Sequence, residues 1–273
     1  MSTAKGKITP WARLGLGALP FLLLILVYAV GSHIRRAANP TDKLLPSLDT
    51  MAKAFWRMAT QPDQRSGDLL LWSDTALSLA RLGSGILISA SIAVGVGVLI
   101  GYLPKARAML APFVAAMSLI PPITILPILF IVFSLGELSK VMLIVVGTAP
   151  IMTRSLAQAV MDIPDEQIIK AETLGANGLQ MVIRVVLPQI WPKLFTAIRL
   201  GLVPAWIFLI SAEAIASTGG LGYRIFLVRR YLAMDVILPY VAWITLLAYT
   251  LDRIFYLLSR RLFRWAHLEG ESL

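Results

Sequence analysis

The chain has 273 residues, of which 58% are hydrophobic and only 15% charged, and its mean hydropathy is +0.77. A soluble domain of this length carries far more surface charge, so the composition excludes one. There is no cysteine and there are two histidines, His33 and His267, which argues against disulfides, thiolate nucleophiles, Fe–S clusters and histidine metal sites.

The formal net charge is +10. The basic residues flank apolar runs rather than gathering into a groove-sized patch, which fits membrane loops better than nucleic acid. No G-x-x-x-x-G-K phosphate loop occurs, so any uphill work draws on a partner or an ion gradient. The apolar runs hold no nucleophile–base pair or metal cluster of the kind an intramembrane enzyme would need.

Lys5, Lys7 and Arg13 precede the first apolar run, 14–31. No small-x-small cleavage site follows it, which favours an uncleaved span with its amino end in the cytoplasm. Arg35 and Arg36 then fall outside, and the orientation rests on later loops. In the mixed stretch 32–81, Leu48, Met51, Ala52, Phe55 and Met58 recur at helical spacing, predicting a helix over 46–60. That stripe fits a helix lying at the membrane surface with Trp56 near the headgroups, or one packed on the bundle.

A second span, 82–102, is rich in Gly, Ala and Ser, which lets helices approach closely in lipid. Lys105 and Arg107 follow in a short basic turn. The third span, 109–133, contains Pro121, Pro122 and Pro127, which remove donors and break the helix. Broken backbone at membrane depth is tolerated inside protein or against a wet cavity. Ser118, Pro121 and Pro122 are therefore candidates for lining a pathway, with a purely structural kink as the alternative. A fourth span covers 141–160, a fifth 195–215, and a sixth 239–258. Residues 216–238 form an outer loop, with room in it for an amphipathic segment that dips back, and Arg260, Arg261 and Arg264 a basic cytoplasmic tail. The expectation is an all-α, polytopic membrane protein with six crossings and both ends in the cytoplasm.

Between the fourth and fifth spans lies a polar stretch, 163–188, that reads as an elbow of two short helices hinged at Gly175-Ala176-Asn177. Pro164 suits a first helical turn, and Asp165 and Glu166 complement the positive end of its dipole. Gly175 can adopt the left-handed conformation that stops the helix, and Asn177 with Gln180 has capping-box spacing for a second. Leu179, Val182, Ile183 and Val186 share one face of that second helix, and Pro188 permits a turn back into the membrane. Two capped amphipathic helices make a rigid knob suited to a groove on a soluble partner.

These residues resemble the cytoplasmic coupling motif of permease subunits of ABC importers. Ala171, Gly175, Leu187 and Pro188 stand where that motif has its second Ala, Gly, Leu and Pro. Its leading Glu-Ala is Ile169-Lys170 here, with a glutamate displaced to Glu172. The stretches LLPSLDTM, SLARLGSGI, SLIPPITILPILFIVFSLGELSKV, SAEAIASTGGLGY and LFRW are similar to nitrate/sulfonate/taurine/bicarbonate-type permeases. The stretch GLGYRIFLVRRYLAMDVILPYVAWITLLA resembles urea carboxylase-related permeases, a group linked to guanidine or urea as nitrogen sources.

The resemblance implies a permease fold in a bacterial inner membrane. It also implies a second copy as partner in a homodimer, two ATP-binding subunits that hold ATP and Mg, and a periplasmic or lipid-anchored binding protein outside. No cofactor is expected in the chain itself. Coupling would run through Asp165, Glu166, Ala171, Glu172, Gly175, Ala176, Asn177, Leu187 and Pro188. Glu213, in the fifth span, would either meet a cationic solute such as guanidinium or pack helices as a gate residue. The cargo implied is guanidine or a related nitrogen compound, with a small anion such as taurine, an alkanesulfonate or nitrate as the alternative. An ATP-independent channel would need no such elbow.

Overall fold

The computed structural model describes residues 10–39, 42–64 and 66–267. Lys5 and Lys7, and both ends of the chain, lie outside the described residues. Within them every regular element is a helix. Five helices are long and apolar enough to cross a membrane, or six if one bent pair counts as a single span.

Helix α1 (Pro10–Ala38) runs on past the expected end of the first span and carries Arg35 and Arg36 in its last turn. Arg35 pairs with Asp42 just beyond it. The Leu44 amide and then the Arg35 guanidinium hold the Asp42 carboxyl below its usual range. Helix α2 (Leu48–Thr60) begins where the Ser47 hydroxyl accepts from the Thr50 amide. Its Ala54 and Met58 are buried, and Phe55 sits 5.7 Å from Trp243, so it packs on the bundle with Trp56 turned out.

Helix α3 (Leu70–Tyr102) starts well before the expected Leu82. Its extra turns carry Asp74, Ser78 and Arg81, which are costly in lipid and end an apolar run when read by hydropathy alone. Folding turns them into the bundle, where they are buried and paired. The expected third span is broken at its prolines, as their positions predict, and starts earlier than 109: α4 (Pro104–Leu119) and α5 (Pro122–Phe133) meet at 99°. Two successive prolines cannot donate, and the residue before a proline is driven extended, as Ile120 is at ψ 123°.

Helix α6 (Glu137–Met161) is the centre of the bundle. Most of its apolar window, 61%, is buried, against 6% for α1. It runs parallel to α3. Gly85 faces Ile144, Gly97 faces Leu156, and Gly101 faces Val160, while Ser89 and Thr148 share a 2.7 Å hydrogen bond between them. The elbow follows, formed by α7 (Asp165–Thr173) and α8 (Gly178–Met181). A π-helical turn, Val182–Val186, joins α8 to α9 (Leu187–Ile215), which returns antiparallel to α6, with Gly201 against Met152 and Gly147 against Phe208. Within the expected loop 216–238 the chain forms the short helix α10 (Leu221–Arg229) and then enters α11 (Met234–Leu262), which is followed by the short α12 (Arg264–His267).

The α3–α6 seam depends on glycine. A Cβ on Gly101 would lie 2.4 Å from Val160 Cβ and 2.9 Å from the Ala157 carbonyl oxygen. Gly101→Ala is expected to cost about 1–3 kcal/mol through overpacking. Thermal unfolding in detergent, followed by size-exclusion chromatography, would register it as earlier loss of the monodisperse peak. Gly95→Ala, where an added Cβ meets nothing, is the matched control.

Candidate functional site

The elbow is built from local bonds. The Ala176 amide donates to the Ala171 carbonyl (3.0 Å) and the Gly175 amide to the Glu172 carbonyl (2.9 Å), with Gly175 at φ +83°. This pair of crossed bonds is the Schellman close of a helix, and it requires the left-handed residue that glycine supplies without strain. The Asn177 side chain accepts from the Gln180 amide (2.8 Å), and the Gln180 side chain accepts from the Asn177 amide (3.0 Å). One helix is thus terminated and the next initiated within three residues.

The underside of the elbow is anchored. Ile163, Met181 and Val186 are buried against the bundle, and Gln189 donates to Gln167 across the two arms. The outer surface is apolar and open: Leu174 is 80% exposed, Leu179 69%, Ile169 57% and Ile183 53%. Asp165, Glu166 and Glu172 are exposed on α7, while Ala171 and Ala176 sit half-buried at its close.

Leu187 and Pro188 depart from the expected arrangement. No turn occurs at Pro188, because the chain runs as helix from Gly178 to Ile215. The Leu187 amide reaches back to the Val182 carbonyl, a five-residue step, and this wider turn directly precedes Pro188, which has no amide to donate.

At the α4–α5 break, Ser118 donates to the Ala115 carbonyl (2.7 Å) and accepts from Arg154 Nη1 on α6 (2.9 Å). Pro121 is the residue before α5, and Pro122 its first residue. Hydropathy averages Arg154 into the fourth span; its signal in the sequence is an arginine that shares one helical face with Ser155 and Gln158.

Glu213 lies at the opposite end of the bundle, fully buried. Its carboxylate accepts from Ser78 (2.8 Å), Arg81 Nη1 (2.7 Å) and the Gly222 amide (2.8 Å). It therefore sits at the start of α10, where a carboxylate complements the exposed amides. Arg81 also donates to the Gly219 carbonyl and to Glu137, which Lys140 pairs in turn. Asp74 accepts from the Gly220 amide, Arg224 and Tyr240. This network joins α3, α6, α9, α10 and α11, and leaves Glu213 no free face for a solute in this conformation. The sequence signal for its other half is the spacing of Asp74, Ser78 and Arg81 on one helical face, at the end of the mixed stretch 32–81. Asp252 pairs with Arg199 on α9 through two bonds of 2.8 and 3.0 Å. Asp235 has no ion-pair partner among the described residues and stands in the first turn of α11.

Comparison with known proteins bears on this geometry. Residues 92–264 match the model of the binding-protein-dependent transport system inner membrane component family. The chain is 35% identical over 199 residues to the taurine transport system permease protein TauC of Escherichia coli K12, covering 72% of each chain. It is 26% identical over 257 residues to a putative aliphatic sulfonates transport permease protein, SsuC, of the same organism, covering 94% of this chain and 95% of that one. In structure it resembles a chain of the MetNI methionine ABC transporter in an inward-facing conformation, with a TM-score of 0.63, 22% identity, and coverage of 73% of this chain and 99% of that one. With the matched region running from the last third of α3 through the broken α4–α5 pair, α6, the elbow, α9 and α11, the chain belongs to the family of binding-protein-dependent transport system inner membrane components, the permease subunits of ABC importers.

Proposed function

We propose that this chain forms, with a second copy of itself, the membrane passage of an importer whose ATP is hydrolysed in two partner subunits. The elbow supports this reading most directly. It is a capped, anchored projection with Ile169, Leu174, Leu179 and Ile183 open to a partner and a carboxylate rim of Asp165, Glu166 and Glu172. ATP and Mg belong to the partner subunits, and the chain itself performs no covalent chemistry. The elbow face also carries Lys105, Arg107, Arg260 and Arg261 and is the cytoplasmic one, while a binding protein delivers solute to the opposite end near α10.

Closure of the ATP-binding subunits moves the elbows. Rigid arms matter because a yielding hinge would absorb the displacement before it reached α6 and α9. The π-helical turn carries α8 into α9 without a break, so motion of the elbow reaches the membrane directly. Affinity purification of the tagged chain, expressed with its neighbouring genes, is expected to bring down an ATP-binding subunit. Clean recovery of the chain alone, with solute uptake intact, would favour a channel instead.

For the cargo, guanidinium is a cation that a carboxylate open to the pathway would match, and Glu213 is already occupied by three donors. A small anion of the taurine, alkanesulfonate or nitrate class is the better-supported solute. Calorimetric titration of the cognate binding protein should show a response to taurine or a simple sulfonate and none to guanidinium. The reverse outcome restores the cationic reading.

A further inference from the structure

The α6 helix buries most of its apolar window, yet it leaves a polar strip open near the elbow end: Arg154, Ser155 and Gln158. Arg154 lies seven residues before Met161, about 10 Å inside the end of the helix. An arginine facing hydrocarbon at such depth costs on the order of 2–3 kcal/mol or more, and exposed polar side chains in a span belong to a wet cavity or an interface.

The other cations packed between these helices are matched: Arg81 to Glu137 and Glu213, Lys140 to Glu137, and Arg199 to Asp252. Arg154 has no carboxylate among the described residues; its bond is to the Ser118 hydroxyl. That hydroxyl spends its proton on the Ala115 carbonyl, so its role is to accept from Arg154 and fix the guanidinium. The remaining donors stay available.

Arg154 does not reach toward the nearer headgroups. Side chains on a helix tilt toward its amino end, which for α6 is the end remote from the elbow, and the bond to Ser118 holds Arg154 at the α4–α5 break. The amino end of α5 begins at this break, at Pro122, and contributes its positive dipole to the same place. Discontinuous helices in transporters present such ends to anionic groups of the solute, and rings of basic side chains select anions in pores.

From this juxtaposition we infer that Arg154, positioned by Ser118, is the passage's contact for the anionic group of the solute, a sulfonate or similar oxyanion held by two donors of the guanidinium. Two copies would place two such arginines on one passage. The inference rests on the importer reading for its setting, and its test does not depend on transport.

The natural chain has no cysteine, so Ile151→Cys introduces a single thiol. Ile151 is one turn from Arg154 on the same open face and 51% exposed. In membranes holding the full complex, this thiol would be modified with a sulfonatoethyl or a trimethylammonioethyl methanethiosulfonate. The expected result is reaction with both, the anionic reagent favoured by about tenfold or more over its rate in the Ile151→Cys/Arg154→Gln double variant, with the cationic reagent shifted the other way. Failure of both reagents to react, or an anion-to-cation ratio indifferent to Arg154, overturns the inference.

A transport arm separates solute contact from helix packing. Arg154→Gln is expected to lower uptake of labelled taurine by about tenfold or more, with Arg154→Lys recovering part of it. Dissociation of the two copies by Arg154→Gln would assign the residue to the dimer interface and also overturn the inference. A wild-type complex that imports guanidinium but no sulfonate would instead refute the cargo class proposed above, leaving the thiol reaction to decide whether Arg154 attracts anions.

Discussion

Gly175→Val is expected to uncouple the protein from its ATP-binding partner. The residue sits at φ +83°, and an added Cβ there meets no neighbour, so the penalty is backbone strain rather than collision. A left-handed conformation costs a non-glycine residue about 1–2 kcal/mol, and a β-branched one more. The local chain can relieve that strain only by abandoning the crossed bonds from Ala176 to Ala171 and from Gly175 to Glu172. Doing so swings α7 away from the Asn177 cap and breaks up the outer surface formed by Leu174 and Leu179. The bundle, held by α3, α6 and α9, should remain folded. The readout is therefore a pair of measurements: detergent stability of the purified chain lowered by only about 1–2 kcal/mol, and loss of the co-purifying ATP-binding subunit together with uptake. Gly175→Asn, which tolerates the left-handed region better, should retain part of both. Full uptake in the valine variant would remove the elbow from the coupling route.

Arg81→Ala is expected to destabilise the fold strongly, by about 3–5 kcal/mol, because it strands a buried charge. Glu213 is wholly inaccessible and Arg81 only 4% exposed, so water cannot replace the lost partner. The Ser78 hydroxyl and Gly222 amide would continue to donate to Glu213, but neither carries a compensating charge. Glu213→Ala should be comparably damaging for the converse reason, since it also removes the carboxylate at the amino end of α10. Glu213→Gln retains hydrogen bonding and should fall between these and the wild type. The pairwise origin of the effect can be checked with Arg81→Met/Glu213→Leu. Removing both charges should recover much of the stability that either alanine substitution loses. Thermal unfolding in detergent resolves all four variants. Equal stability of Arg81→Ala and wild type would mean that the network is not closed in the membrane.

The two predictions concern parts of the protein that differ in how far the amino-acid order announces them. The elbow depends on contacts three to five residues apart. Asn177 and Gln180 identify a cap, Gly175 identifies a stop, and both can be recognised without knowing where the rest of the chain lies. Its attachment was harder to foresee: Pro188 suggests a turn, but the π-helical step before it allows an unbroken helix from Gly178 to Ile215. The same limitation affects the α4–α5 pair. Three prolines announce a break, while the 99° angle depends on what α5 packs against.

The outer network was hidden for a different reason. Ser78 and Glu213 are 135 positions apart, and Arg224 and Asp74 150. Hydropathy treats each polar residue as a cost, and so it places the start of α3 after Arg81, whereas pairing with Glu213 and Glu137 makes an earlier start favourable. Arg154 was overlooked through the opposite simplification, an arginine averaged into an apolar run.

By itself the sequence determined that the chain is helical and made for a membrane, that a capped projection interrupts it at 163–188, and which permease family its motifs resemble. These follow from apolar run length, short-range capping and local motifs, all of which are properties of neighbours in the chain. Only the tertiary structure decided that Glu213 is a sealed structural carboxylate and that Arg154 stands open beside a broken helix. Whether a charge in a membrane span is a strut or a contact depends on the partner supplied by distant segments, and the fold alone brings those segments together.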